Sequence, residues 1–238
     1  MKFGRALCLL LVLVFSVCFA EVAEEEIPYS PIKDVAGIRI NDYTDTVTRG
    51  EVRFVCQQRS TAANYGWGKY ANNRSKTYGP ANNCTTAVQS MAFSYIGIDA
   101  TPEKIVAQIT SFITNYGFED ADMAYRTGYS ADLESLDRFL NRFLSDTDAS
   151  ISPVIIHYQN GRKKSSLHQH SVLVIGKDAE GNYIALDPSR GWNDCVKTFT
   201  LVKKKNGRTY LSGDVARGNE NVYLDAVEQY YLFGTELN

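Results

Sequence analysis

The sequence predicts an α+β fold in which a helical layer packs on an antiparallel sheet. Apolar residues recur at helical spacing through the first half of the chain, whereas after Pro153 the segments are β-branched or aromatic and are separated by Gly, Asn and Pro. Helices first and strands second point to this architecture. The chain has 238 residues, of which 44% are hydrophobic, and no visible repeat, so we expect one domain with one core.

The first twenty residues read as a secretory signal peptide. Lys2 and Arg5 precede an apolar run over 7–15, and Ala20 supplies a small residue at the end. The run is shorter than the roughly 18 residues of a membrane span, and Cys18 lacks the small preceding residue that a lipoprotein signal requires. We therefore expect cleavage after Ala20, a soluble mature chain, and a secreted or periplasmic location.

The charge balance excludes several classes of partner. The chain carries 25 Lys and Arg against 27 Asp and Glu, a net charge of -2. No electrostatic footprint for nucleic acid is present, and no membrane association is expected after signal removal. Residues 21–50 are expected to form an extended lead-in or a propeptide, and 51–238 the folded domain; the oligomeric state stays open.

Three helices are expected in the first part of the domain. A buried helix begins near Asn83 and Cys84 and ends at Gly97, a natural C-terminal cap. A second helix opens at Thr101, which precedes a proline and an acidic residue. A third is opened by Ser130 and carries an apolar stripe. Its members are Leu133, Leu136, Phe139, Leu140, Phe143 and Leu144.

Six strands are expected after Pro153, with Asn206 and Gly207 as a hairpin turn. Their sequences are PVIIHYQ, SVLVIGK, NYIALD, VKTFTLV, GRTYLSG and NVYLDAVEQYYLF. Between the first strand, EVRFVCQQ, and Cys84 lies a long loop rich in Gly, Asn, Ser and Tyr, and long loops in compact domains often serve function. Its aromatic residues either line a substrate groove or pin the loop to the core. They are Tyr65, Trp67, Tyr70 and Tyr78.

The expected mature chain contains an odd number of cysteines. Removal of the signal takes away two of the five, and the mature chain keeps Cys56, Cys84 and Cys195. An odd number in an exported protein means a free thiol or an intermolecular bridge, so at most one internal disulfide can form.

Cys84 is the candidate nucleophile because a helix N-terminus stabilises a thiolate and can hold an oxyanion. His170 opens the strand SVLVIG and is the best-placed imidazole, and His168 lies on the same strand face. His157, within an apolar strand, is expected to be a packed residue. Asp187 ends the strand NYIALD and precedes a proline, where its carboxylate could orient the imidazole.

Two segments of the chain resemble one family. NNCTTAVQSMAFSYIGIDATPEKI and HSVLVIGKDAEGNYIALDP resemble the cysteine helix and the histidine strand of papain-like cysteine peptidases of the bacteriocin-processing, or C39-like, type. The resemblance implies a papain-like fold with Cys84 as nucleophile, His170 as general base and acid, and Asp187 as orienting group. It also implies an oxyanion-hole glutamine at Gln58, although its neighbour Gln57 would face the opposite side of a strand.

The expected function is that of a secreted thiol hydrolase, most simply a cysteine peptidase that acts on a peptide or protein substrate through an acyl-enzyme. The alternatives are a transglutaminase-like or deamidase-like acyl transferase and a non-enzymatic binding module on the same fold. With Cys84 as nucleophile, Cys56 and Cys195 are free to pair, whereas a bridge to Cys84 would abolish the nucleophile. Zinc held by His168 and His170 with Asp187 or Cys195 is disfavoured, so neither a cofactor nor a metal is expected.

Overall fold

The main element of the structure is an antiparallel sheet of six strands that closes on itself. This computed structural model describes residues 31–58, 62–72, 79–80, 83–111, 124–127, 132–160, 170–204, 206–218 and 221–235. Its helices are α1 (Cys84–Tyr95), α2 (Pro102–Ser111) and α3 (Leu133–Ser145). Its strands are β1 (Ile32–Val35), β2 (Ile38–Asn41), β3 (Glu51–Arg53), β4 (Ala124–Thr127), β5 (Val154–Asn160), β6 (His170–Lys177), β7 (Tyr183–Leu186), β8 (Val196–Lys203), β9 (Thr209–Gly213) and β10 (Val222–Leu232). The predicted signal peptide lies outside these residues.

The six strands follow the order β5, β6, β7, β8, β9 and β10, and β10 returns to pair with β5. Tyr223 of β10 also pairs with Tyr210 of β9, which completes the circle. A register shift between Leu224 and Ala226 bends β10 where this closure occurs. β4 pairs with the last residues of β10 as a seventh strand outside the closed circle.

The predicted α+β, papain-like fold is therefore wrong. The structure is mostly β, a closed antiparallel cylinder of six strands with only three short α-helices in the described ranges. The hydrophobic pattern identified the strands themselves, because each predicted segment after Pro153 coincides with one strand from β5 to β10. Closure depends on strand tilt and on the bend in β10, and neither leaves a mark on residue periodicity.

The N-terminal part of the described chain adds a small three-stranded sheet. β1 and β2 form an antiparallel hairpin, and β3 pairs with β2 in parallel. The predicted boundary after residue 50 falls inside this sheet, because β2 lies before it and β3 after it. Ile40 and Val52 bury their side chains in the main core, which joins the small sheet to the rest of the domain.

Helix α1 is buried along almost its whole length and packs against β3 and β6. It begins at Cys84 and is followed by Gly97 with a φ of 84°, as predicted. Asn83 occupies the N-cap position, but its side-chain amide donates to the Gly79 carbonyl oxygen at 3.0 Å instead of capping the helix. The first N–H groups of α1 thus receive no side-chain acceptor from Asn83.

Helix α3 packs against β5, β6 and β10 of the closed sheet, and α2 packs against α1. Thr101 caps α2 through its hydroxyl, which accepts from the Lys104 N–H at 3.3 Å. α3 begins at Leu133, and its cap is Asp132, not the predicted Ser130. Leu133 and Leu144, at the ends of the predicted stripe, are exposed, and its four middle members are buried. In the ranges given above, no helix combines the length and apolarity of a membrane span.

Candidate active site

Cys84 lies at the first position of α1, in the position that the sequence predicted for a nucleophile. Its side chain is buried, with 7% of the residue exposed. The start of α1 is tied to β6 by a hydrogen bond of 2.9 Å between the Thr85 and Ser171 hydroxyls. This bond fixes the sulfur beside the first residues of β6.

His170 opens β6 and lies between Cys84 and Asp187. Its Nε2 is 2.7 Å from Asp187 Oδ1, and its ring forms a hydrogen bond with the Cys84 sulfur. Because Nε2 is taken by Asp187, Nδ1 is the nitrogen that remains for the sulfur. The Tyr158 ring packs edge-on against the imidazole at 5.4 Å between ring centroids, which limits its rotation.

Asp187 follows β7 directly and is almost completely buried, with 1% of the residue exposed. Oδ1 also accepts hydrogen bonds from the Ser189 N–H at 2.8 Å and the Ser189 hydroxyl at 2.7 Å. Oδ2 lies 3.3 Å from the Arg217 guanidinium and 3.9 Å from that of Arg190. Burial raises the pKa of Asp187, but the hydrogen bond and charge of His170 outweigh it and hold the pKa well below its usual range.

The electrostatics of the site favour a thiolate and an imidazolium. Burial alone would raise the pKa of the Cys84 thiol, but hydrogen bonds from His170 and Ser171 lower it below its usual value. Burial would likewise lower the pKa of His170, but the hydrogen bonds to Asp187 and Cys84 raise it to about 9. Both shifts favour transfer of the thiol proton from Cys84 to His170.

Four contributing residues were not predicted from the sequence: Tyr158, Ser171, Ser189 and Arg217. Tyr158 faces His170 across the pairing of β5 with β6, and that register cannot be read without the sheet. Ser189 follows Asp187 at the spacing of an Asx turn, a signal that the sequence did carry. Arg217 has a left-handed φ of 51°, and its guanidinium contacts Asp187 and the Ser189 hydroxyl.

The predicted oxyanion donor Gln58 lies on the segment after β3. Its side chain is exposed, and its N–H donates to the Cys56 sulfur at 3.2 Å. Gln57 is half-buried, and its N–H donates to the Pro188 carbonyl oxygen at 2.7 Å, next to Asp187. Both glutamines thus lie on the Asp187 side of the site, and the role of Gln58 stays a prediction.

The aromatic residues of the loop between β3 and α1 are buried or half-buried where the structure describes them. Trp67 is fully buried, and its indole N–H donates to the Cys56 carbonyl oxygen at 3.1 Å, so it pins the loop to the core. Tyr65 is buried and Tyr70 is half-buried against the same core. Tyr78 and His168 lie outside the described residues.

All three cysteines in the described part of the chain are free thiols. The structure therefore contains neither a bridge between Cys56 and Cys195, which the sequence left open, nor a bridge to Cys84. Burial raises the pKa of Cys195 to about 11, which makes this thiol a poor nucleophile. At Cys84, by contrast, the surroundings lower the pKa of the thiol. No three His, Cys, Asp or Glu side chains of the described ranges converge as a metal site requires.

The fold and the site together define a closed antiparallel sheet domain in which a buried cysteine at a helix N-terminus lies beside a histidine at a strand start and a buried aspartate at a strand end. No protein-family model matches the chain, and no curated protein is significantly similar to it in sequence. The assignment of a function therefore depends on the chemistry of these three residues.

Proposed function

We propose that the protein is an exported thiol hydrolase, a cysteine peptidase that cleaves peptide bonds through an acyl-enzyme on Cys84. One observation supports this most directly. His170 contacts the Cys84 sulfur, and its Nε2 lies 2.7 Å from the buried Asp187 carboxylate. Nucleophile, base and orienting group are thus joined in the order that this chemistry needs.

Acylation uses the ion pair that the site favours. The Cys84 thiolate attacks the carbonyl carbon of the substrate, and the electron pair of the C=O bond moves to the oxygen. The unpaired backbone N–H groups in the first turn of α1 stabilise the negative charge on this oxygen. The C–N bond then breaks, and the leaving amine takes its proton from the His170 imidazolium.

Deacylation returns the site to its starting state. The neutral His170 takes a proton from a water molecule, and the resulting hydroxide attacks the thioester carbon. Collapse of the tetrahedral intermediate breaks the C–S bond, releases the acid product and restores the thiolate beside the protonated His170. Asp187 keeps the imidazole in one orientation through both half-reactions.

The test is hydrolysis of a fluorogenic peptide library by the mature protein, with Cys84→Ala as the inactive variant and Cys195→Ala as the matched thiol control. The proposal predicts turnover that the first substitution abolishes and the second retains. Turnover that survives Cys84→Ala would refute it. Release of ammonia from a glutamine substrate without peptide cleavage would instead select the deamidase or acyl-transferase chemistry.

A further inference from the structure

A second histidine–carboxylate pair lies behind the nucleophile. His157 on β5 and Glu228 on β10 are 1% and 0% exposed, and His157 Nε2 lies 3.2 Å from Glu228 Oε2. His157 is a packed strand residue, as predicted from the sequence, but it also carries polar contacts that the sequence did not indicate. The mechanism above makes no use of this pair.

The Glu228 carboxylate accepts hydrogen bonds from several side chains. The Gln89 amide of α1 lies 3.5 Å from Oε1, and the Tyr230 hydroxyl donates to the same oxygen. Gln89 also donates to the Tyr230 hydroxyl at 3.1 Å. These contacts compensate the burial of the carboxylate and fix its position relative to α1.

The pair reaches the nucleophile through Ser171. His157 Nδ1 is 2.8 Å from Ser171 Oγ, because the two residues are direct cross-strand partners in β5 and β6. The Ser171 hydroxyl lies 2.9 Å from that of Thr85, the residue after Cys84, and the hydroxyl and backbone N–H of Ser171 both lower the pKa of the Cys84 thiol. A continuous chain thus runs from Glu228 through His157 and Ser171 to Cys84.

We propose that Ser171 is a further catalytic residue, whose hydroxyl donates to the Cys84 thiolate, and that His157 and Glu228 are positioning residues that orient this hydroxyl. The inference depends on the proposed function, because it assigns a task only if Cys84 is the nucleophile. In this arrangement the thiolate has supports on two sides, His170 with Asp187 on one and Ser171 with the buried pair on the other.

The number of protons on the pair determines which way the hydroxyl points. If the pair holds two exchangeable protons, it has no net charge, and Nδ1–H donates to Ser171 Oγ. The Thr85 hydroxyl, 2.9 Å away, donates to the second lone pair of Ser171 Oγ, and the Ser171 proton then points at the sulfur. If the pair holds one exchangeable proton, Nδ1 carries no proton and accepts a hydrogen bond from the Ser171 hydroxyl. An oxygen lone pair of Ser171 then faces the sulfur. Burial of Glu228 at 0% exposure favours the uncharged pair, and so favours donation to the thiolate.

The charged and titratable groups around this chain belong to both halves of the site. Near the sulfur they are His170 and Tyr158, with Asp187 and the two arginines Arg190 and Arg217 behind them. Near the buried pair the titratable group is Tyr230. A pH profile of the thiol must therefore be compared between variants that leave these groups in place.

The test is the pH dependence of alkylation of Cys84 by iodoacetamide in the mature protein, followed by intact mass. Ser171→Ala removes one hydroxyl and is expected to raise the inflection of this profile by about one pH unit, a roughly tenfold loss of thiolate at lower pH. His157→Leu is expected to raise it similarly. His157→Asn, which keeps an N–H donor toward Ser171, should retain the wild-type inflection.

Ser90→Ala is the matched control. Ser90 is a fully buried serine of α1 whose hydroxyl has no hydrogen-bond partner among the described residues, so its loss should leave the inflection unchanged. A wild-type inflection in Ser171→Ala, with a clear shift in His170→Ala, would overturn this inference and leave the proposed function intact. A wild-type inflection at or above about 8.5, the value of an ordinary thiol, would overturn both.

Discussion

Replacement of His170 by Ala should convert Cys84 from a thiolate into an ordinary thiol. In the wild type the His170 contact lowers the pKa of Cys84 against the effect of burial, and the pKa of His170 is raised to about 9, so both shifts favour the thiolate beside the imidazolium. Without the imidazolium, burial should keep the pKa of the thiol at or above its ordinary value of about 8.5. At most about 3% of the molecules would then carry a thiolate at pH 7.

The expected loss of alkylation rate at pH 7 follows from that fraction. For a thiol that is fully ionised in the wild type, loss of thiolate alone predicts a decrease of roughly 30-fold or more. The greater intrinsic nucleophilicity of a thiolate of higher pKa offsets part of this loss, by about threefold per pKa unit. The shape of the profile is the sharper result. The wild-type rate should level off at a lower pH than the variant rate, which should rise about tenfold per pH unit up to about pH 8.

The assay is the pseudo-first-order rate of iodoacetamide addition, measured by intact mass on the mature protein from pH 5 to 10. Cys84→Ser should give no rapid adduct, which assigns the signal to that residue. Lys177→Ala changes an exposed residue at the other end of β6 and should leave the profile unchanged. If His170→Ala and the wild type show the same profile, the imidazole does not activate the sulfur, and the reasoning fails.

Three further outcomes are expected. The pKa of Asp187 is lower in the folded protein than in the unfolded chain, so its carboxylate stabilises the fold above the unfolded pKa, and this stabilisation is lost as pH falls toward the folded pKa. The difference in unfolding free energy between wild type and Asp187→Asn, measured by urea unfolding, should therefore narrow below about pH 4. Phe143→Ala should cost about 3–5 kcal/mol of unfolding free energy, since Phe143 is buried against Tyr95, whereas the exposed neighbour Leu144→Ala should cost less than about 1 kcal/mol. In a chain that begins at residue 21, a thiol-specific colorimetric reagent should detect one fast-reacting thiol, Cys84, in the native protein and three thiols after unfolding. Detection of two or fewer after unfolding would contradict the free thiols of the structure.

The strands and the start of α1 could be predicted because local signals mark them. Asn and Gly punctuate the hairpin between β8 and β9, and β-branched runs identify each strand. The closure of the sheet could not be predicted. It depends on the pairing of Tyr223 with Tyr210 and on the bend between Leu224 and Ala226, and both are properties of the assembled sheet.

The same distinction separates the predicted from the unpredicted part of the site. Cys84, His170 and Asp187 lie at a helix start, a strand start and a strand end, which sequence punctuation reveals. His157 and Ser171 are joined by cross-strand register, and Glu228 arrives on the last strand of the sheet. A pairing across 71 positions leaves no local pattern, so a histidine in an apolar strand reads as core packing.

The pairing of β10 with β5 completes the neighbourhood of the nucleophile. β5 and β6 bring His157 beside Ser171, and Glu228 lies on β10, which pairs with β5 on its other side. Glu228 also contacts Gln89, one turn beyond Cys84 along α1. The strand that closes the sheet therefore supports the helix that carries the thiolate, and a fold with an open edge at β5 would leave His157 without its carboxylate. The architecture of this domain and the chemistry of Cys84 are thus connected through β10.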